Sequence, residues 1–135
     1  MDKYELVKFK QNDLEIDVNV SPEEDTIWLS KEQMADLYGR DRSVISRHIS
    51  NIYSEDEIDK ESSCAKIAQE IGGQTHYITI YNLDIVISVG YRVKSKNGII
   101  FRKWANKILK DYLIKGYTID EDRTLITNEN YINLI

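Results

Sequence analysis

Cysteine and proline are almost absent from this sequence, which contains one of each among 135 residues. Because Cys64 is the only cysteine, an internal disulfide and a cysteine-based zinc site are both excluded. Because the chain has no disulfide framework, we expect a reducing compartment and therefore a cytoplasmic protein. Pro22 stands alone as well, so no proline-rich linker divides the chain into separate domains.

Long hydrophobic runs and histidines are also scarce. No stretch approaches the roughly 20 apolar residues that a membrane span needs, and the polar segment Met1–Glu5 is unlike a signal peptide. His48 and His76 have no spaced cysteine or second histidine with which to hold a metal. The sequence has no nucleophile paired with a base at close spacing and no glycine loop for phosphate. We therefore predict no enzymatic activity, no cofactor, no metal site and no membrane partner.

Positive charge is in short supply overall, since the formal net charge is −5 and the pI is about 5.1. Taken alone, this argues against nucleic acid as a partner. The charges are unevenly distributed, however. Met1–Leu29 carries three Lys or Arg against eight Asp or Glu, whereas Tyr91–Lys115 carries eight against one. A polyanion responds to the local field, so Tyr91–Lys115 is a candidate nucleic-acid contact. A lysine-rich helix surface that only serves solubility is the alternative.

Hydrophobic periodicity predicts one α+β domain. The alternation of apolar and polar residues indicates two β-hairpins and a short strand between them. Gly72-Gly73 suits the tight turn of the second hairpin. The apolar run Leu83–Val89, after the plausible N-cap Asn82, is interpreted as a short buried helix that ends at Gly90. The predicted strands are Glu5–Phe9, Leu14–Val20, Thr26–Leu29, Ser63–Glu70 and Thr75–Tyr81.

The segment Lys31–Ser50 has the pattern of a helix-turn-helix. Ser30 and a glutamine three residues later form a capping box for the first helix. Ala35 leaves room for the second helix, Gly39 makes the sharp turn, and Ile45 fills the space between the two helices. The same small-x3-Gly-x5-Ile spacing also occurs in ordinary helical hairpins, which remain the alternative.

The second helix is predicted from about Arg42 to Tyr53, after Asp41 as N-cap with its carboxylate turned toward its own backbone. In a helix-turn-helix, the first residues of this helix meet base edges in the major groove. Arginine is the commonest reader of guanine, through O6 and N7, and simple solvated charge is the alternative. We predict that the DNA-binding residues of this helix are Arg42, Ser43, Ser46 and Arg47.

The clearest predicted helix is the last one, whose apolar residues recur at i, i+3, i+4, i+7 from Phe101 to Tyr112 before Gly116 ends it. Trp28 and Trp104 are both expected to be largely buried. Basic residues near this helix and on its opposite side are predicted to bind phosphates: Lys94, Lys96, Arg102, Lys103, Lys107 and Lys110.

The predicted architecture is a winged helix-turn-helix-like domain over residues 1–117, with an N-terminal β-hairpin and a long C-terminal amphipathic helix. The second hairpin is the wing, and residues 118–135 form a tail without a firm pattern. A homodimer is expected, because reading a two-fold operator needs two recognition helices about 34 Å apart. Apolar residues of the tail are expected to contribute to its contact: Ile132, Leu134 and Ile135.

Three runs of the sequence resemble the RhuM family of bacterial virulence proteins, namely Thr26–Gly39, Tyr81–Val93 and Phe101–Tyr117. The resemblance covers nearly everything from Glu5 to about Arg123. A weaker likeness is to the N-terminal domains of Bro-type regulators of phages and large DNA viruses, which share the tryptophan before the first helix and a Phe-x2-Trp helix near the end. The resemblance implies a DNA-binding domain, often encoded on mobile elements, and carries over no catalytic residue.

The sequence therefore predicts sequence-specific binding of duplex DNA by a transcriptional or mobile-element regulator. The alternative is a protein–protein interaction module, such as an antirepressor that binds another regulator. The acidic total charge and the apolar tail favour this alternative.

Overall fold

The structure, a computed structural model, describes residues 5–123 of the chain. The tail residues Ile132, Leu134 and Ile135 lie outside the described residues. In chain order the elements are β1 (Glu5–Gln11), β2 (Leu14–Ser21), a 3-10 turn (Pro22–Glu24), β3 (Thr26–Ser30), α1 (Lys31–Tyr38), α2 (Arg42–Ser54), α3 (Lys60–Ser63), β4 (Cys64–Ile71), β5 (Gln74–Asn82), α4 (Leu83–Val93) and α5 (Lys96–Arg123).

All five strands of the described chain form a single antiparallel sheet in the order β1-β2-β3-β5-β4. The two predicted hairpins therefore share one sheet, in which β3 pairs with β2 on one side and with β5 on the other. The turn of the second hairpin has positive φ at Gly72 and Gly73, 58° and 78°, which matches the need of a two-residue hairpin turn for glycine. The predicted α+β class is confirmed.

The central strand β3 is buried along its whole length, and the core lies between the sheet and the helices. Phe9 of β1 meets two aromatic rings of α5 edge-on, with centroid distances of 5.2 Å to Phe101 and 5.2 Å to Trp104. These contacts pack α5 against the N-terminal hairpin. Trp28 is 6% exposed, as predicted. Trp104 is only partly buried, because it lies at the border of this aromatic cluster.

Three hydrogen bonds fasten the end of α1 and the turn after it to α4 and α5. The buried Tyr38 hydroxyl donates to the Val86 carbonyl oxygen at 2.6 Å. Asn97 Nδ2 donates to the Leu37 carbonyl oxygen at 2.8 Å, and Arg40 Nη2 donates to the Val93 carbonyl oxygen at 2.9 Å. Because these bonds span 48 to 60 residues of sequence, they determine how α1 and α2 are held relative to α4 and α5.

Three predicted boundaries are wrong. Helix α4 continues through Gly90 to Val93, helix α5 continues through Gly116 to Arg123, and Ser63 belongs to the short helix α3 rather than to a strand. A glycine inside a helix costs only about 0.5–1 kcal/mol, which the packing of a buried helix or the length of a long one offsets. Residues 118–123, assigned to the tail, are therefore helical.

Gly90 is required by a contact with Tyr38, and this gives a test of the packing. A Cβ atom at Gly90 would lie 2.7 Å from the Tyr38 hydroxyl oxygen and 2.8 Å from Cζ. We expect Gly90→Ala to lower the free energy of unfolding by about 1–3 kcal/mol through overpacking. Denaturant unfolding followed by circular dichroism measures this value.

Gly98 provides the matched control, because a Cβ atom there would lie 3.5 Å from Gly90 Cα, an ordinary contact distance. Gly98→Ala should raise the free energy of unfolding by about 0.5 kcal/mol through the lower entropy of the unfolded chain. Equal effects of the two substitutions would contradict the described packing of α1 on α4.

Candidate nucleic-acid interface

Helices α1 and α2 are joined by a short turn in which Gly39 has φ 65°, a left-handed conformation that favours glycine. The predicted capping box starts α1: Gln33 N donates to Ser30 Oγ, and Ser30 N donates to Gln33 Oε1. Helix α2 buries Ile45, Ile49 and Ile52. Its opposite face is consequently available to a partner.

All four residues predicted to contact DNA from α2 lie in its first two turns. Arg42, Ser43 and Arg47 are exposed, and Ser46 is half-buried. Ser43 and Arg47 are four residues apart and share one face of the helix with Ser50, which is also exposed. The structure thus brings the predicted residues together on one accessible surface.

Asp41 behaves differently from the prediction. It occupies the N-cap position of α2, but its carboxylate makes no capping hydrogen bond. The backbone carbonyl oxygen of Asp41 accepts instead, from Val44 N at 3.0 Å and from Ile45 N at 3.2 Å. The exposed carboxylate therefore contributes negative charge beside the start of α2.

Arg42 and Arg47 have different electrostatic surroundings. Arg42 Nε donates to Glu32 Oε2 of α1 at 2.5 Å, and both side chains are about 60% exposed. Arg47 forms no ion pair with any described residue.

His48, next to Arg47 in the sequence, has a pKa below its usual range. The main cause is burial, and the nearby positive charges of Arg47 and Arg92 add to it. His48 is therefore neutral at neutral pH and adds no positive charge to this surface.

A groove separates the start of α1 and α2 from the second hairpin, with a volume of about 410 Å³. Arg42 and Glu32 lie on one side and β5 lies on the other. Lys31 Nζ lies 6.0 Å from the centre of the Tyr81 ring, within range of a cation–π attraction. This helix–hairpin groove is lined by Ser30, Lys31, Glu32, Arg42, Tyr77, Ile78, Thr79 and Tyr81.

The sequence-based prediction missed the β5 residues of this groove. Tyr77, Thr79 and Tyr81 alternate along the strand and so share one face of the sheet, and Lys66 of β4 pairs with Thr79 on that face. The alternation was visible in the sequence. That this face lies beside Arg42 depends on the pairing of β5 with β3, which no local pattern reveals.

The basic residues predicted to bind phosphates separate into two groups. Lys103, Lys107 and Lys110 lie at i, i+4 and i+7 on the exposed side of α5. Of these, Lys107 donates to Asp111 Oδ2 at 2.9 Å, so its charge is partly neutralised. Lys103 and Lys110 have no ion-pair partner among residues 5–114, whose side chains the structure describes.

The second group, formed by Lys94, Lys96 and Arg102, surrounds a mostly apolar groove where α4 passes into α5. Its volume is about 400 Å³. Tyr91 and Ile99 on its wall are 85% and 55% exposed. We name it the turn groove, and it is lined by Ile87, Gly90, Tyr91, Lys94, Ser95, Lys96, Gly98, Ile99 and Arg102.

Among residues 5–114, whose side chains the structure describes, no three His, Cys, Asp or Glu side chains lie close enough together to hold a metal ion. No helix within the same residues combines the length and the hydropathy that crossing a bilayer requires.

A model of the virulence protein RhuM family matches residues 61–133, which is more than half of the chain. The match includes the runs Tyr81–Val93 and Phe101–Tyr117, while Thr26–Gly39 precedes it. No curated protein and no solved structure matches the chain significantly. The chain belongs to the virulence protein RhuM family.

Proposed function

We propose that this chain is a winged helix-turn-helix protein that binds duplex DNA in a sequence-specific manner, as a transcriptional or mobile-element regulator. The observation that carries the proposal is the exposed cluster of Arg42, Ser43 and Arg47 at the start of α2. In a helix-turn-helix this end of the second helix enters the major groove. Arginine there has the donor geometry to read guanine.

The order of elements supports the same proposal. Strand β3 leads into the helix pair, and the β4–β5 hairpin follows it. Because β5 pairs with β3, the hairpin lies beside the helices, which supports its assignment as the wing. Tyr77, Thr79 and Lys66 then lie on the sheet face that borders the helix–hairpin groove, where they can contact the DNA backbone or a base.

The acidic N-terminal hairpin is compatible with a DNA partner because ion pairs partly neutralise its charge and its outer strand β1 lies at the far edge of the sheet from β4. With β1 and β4 as opposite edges and neighbouring strands about 4.8 Å apart, the two edges are separated by about 19 Å. The Debye length at physiological ionic strength is about 8 Å, so the charges of β1 are largely screened from a partner bound at β4. Strand β2 is closer, since only β3 separates it from β5. Lys8 and Lys10 also pair with Asp17 and Glu15 across it.

The turn groove favours a second candidate function, a protein–protein interaction module such as an antirepressor. Its exposed Tyr91 and Ile99 provide apolar surface, which the charged backbone of DNA would not bury. The basic residues around the groove suit an acidic segment of another protein.

A gel shift of the wild-type chain with random duplex DNA at about 50 mM and about 200 mM salt separates the two candidate functions. Salt-sensitive retardation supports DNA binding, and no retardation at either salt supports the interaction module.

The first functional prediction concerns the arginines of α2. We expect Arg42→Ala and Arg47→Ala each to relax the preference at one base position by about 1–3 kcal/mol, with a much smaller loss of non-specific affinity. Selection of bound sites from a random pool measures the preference. Lys10→Ala, an exposed basic residue on β1, is the control and should leave the preference unchanged. If both arginine variants select the same sequence as the wild type, α2 is not the reading helix.

The second functional prediction concerns the exposed side of α5. Each lost phosphate contact should reduce the slope of log affinity against log salt by about 0.9. Lys103→Ala combined with Lys110→Ala should therefore reduce it by up to about 1.8 on any duplex. Lys107→Ala should have a smaller effect, because Asp111 already neutralises much of that charge. An unchanged slope in the double variant would mean that this side of α5 does not contact DNA.

A further inference from the structure

Glu32 holds the Arg42 guanidinium from one side. The bond runs from Arg42 Nε, in the first turn of α2, to Glu32 Oε2, in the first turn of α1, at 2.5 Å. No other hydrogen bond of the Arg42 side chain occurs within the described residues. The two terminal nitrogens of the guanidinium, which carry four of its five N–H donors, are therefore available to a ligand.

The contribution of this contact to stability is small. Both side chains are about 60% exposed, and a solvent-exposed ion pair contributes little to stability. Its geometric effect is larger, because a guanidinium is planar and rigid. A hydrogen bond at Nε restricts the plane and direction of the two terminal nitrogens, which are the atoms that donate to guanine O6 and N7.

The position of the pair matches this role. Arg42 and Glu32 line the helix–hairpin groove together, across from Tyr77 and Thr79. A long side chain that is free in solution loses rotamer entropy when it is fully fixed. An arginine that is already held by a neighbour loses less of this on binding, which is the general advantage of preorganisation.

We propose that Glu32 is a positioning residue for base recognition: it holds the Arg42 guanidinium so that the two terminal nitrogens are presented to one guanine. The inference rests on the proposed DNA-binding function and adds a specificity role for a carboxylate. Glu32 then has two opposing effects. Its charge weakens binding to every duplex, and its hydrogen bond sharpens the preference at one base position.

Two substitutions separate these effects. Glu32→Gln removes the charge but keeps an oxygen that can accept from Arg42 Nε, whereas Glu32→Ala removes both. Non-specific affinity, measured by fluorescence anisotropy with random duplex DNA, should rise about twofold in both variants as repulsion is lost. The preference for guanine at the position that Arg42 reads should fall by roughly tenfold in Glu32→Ala, because the bidentate contact is weakened. Glu32→Gln should retain most of that preference.

The double variant Glu32→Ala with Arg42→Ala completes the cycle. Once Arg42 is absent, Glu32→Ala should no longer change the base preference. A Glu32→Ala variant that gains affinity for all duplexes and keeps the full preference would overturn the positioning role. In that case Arg42→Ala would still relax the preference and the proposed function would stand. A wild-type chain that prefers no sequence would overturn both.

Discussion

The pairing of β3 with β5 is the constraint on which the rest of the structure depends. It joins the N-terminal hairpin to the second hairpin in one sheet. The polypeptide between β3 and β5 includes α1 and α2. The pairing therefore places β5 beside the start of α2 and creates the helix–hairpin groove. Because β3 is buried throughout, losing this pairing would expose the centre of the core.

The features that could be predicted from the sequence are those with local causes. The Ser30 capping box, the left-handed Gly39 and the Gly72-Gly73 turn each follow from neighbouring residues, and all are present. Gly90 was expected to end a helix, because glycine is common just after the last residue of a helix. Its actual role depends on Tyr38, 52 positions earlier in the sequence, whose ring leaves no space for a Cβ atom. The pairing of Arg42 with Glu32 likewise required the helices to be packed first.

The charges around the proposed interface explain how an acidic chain can have a nucleic-acid partner. Ion pairs across the N-terminal hairpin partly neutralise its acidic residues, and its outer strand β1 lies at the far edge of the sheet from β4. Glu32 and Asp41 lie close to Arg42 and reduce the net positive charge of this surface. Such a surface gains little from phosphates alone, and its affinity must come more from directed contacts such as those of Arg42 and Arg47.

The most direct test of the account is to map the DNA-bound surface with backbone amide chemical shifts, by titrating the isotope-labelled chain with a short duplex. We expect the shifts to concentrate in the first two turns of α2, from Arg42 to Arg47, and in Lys66 and Tyr77–Thr79 of the second hairpin, with smaller shifts at Lys103 and Lys110 of α5. The strands β1 and β2 should be unaffected. Shifts concentrated at Tyr91 and Ile99 of the turn groove, with none in α2, would contradict it.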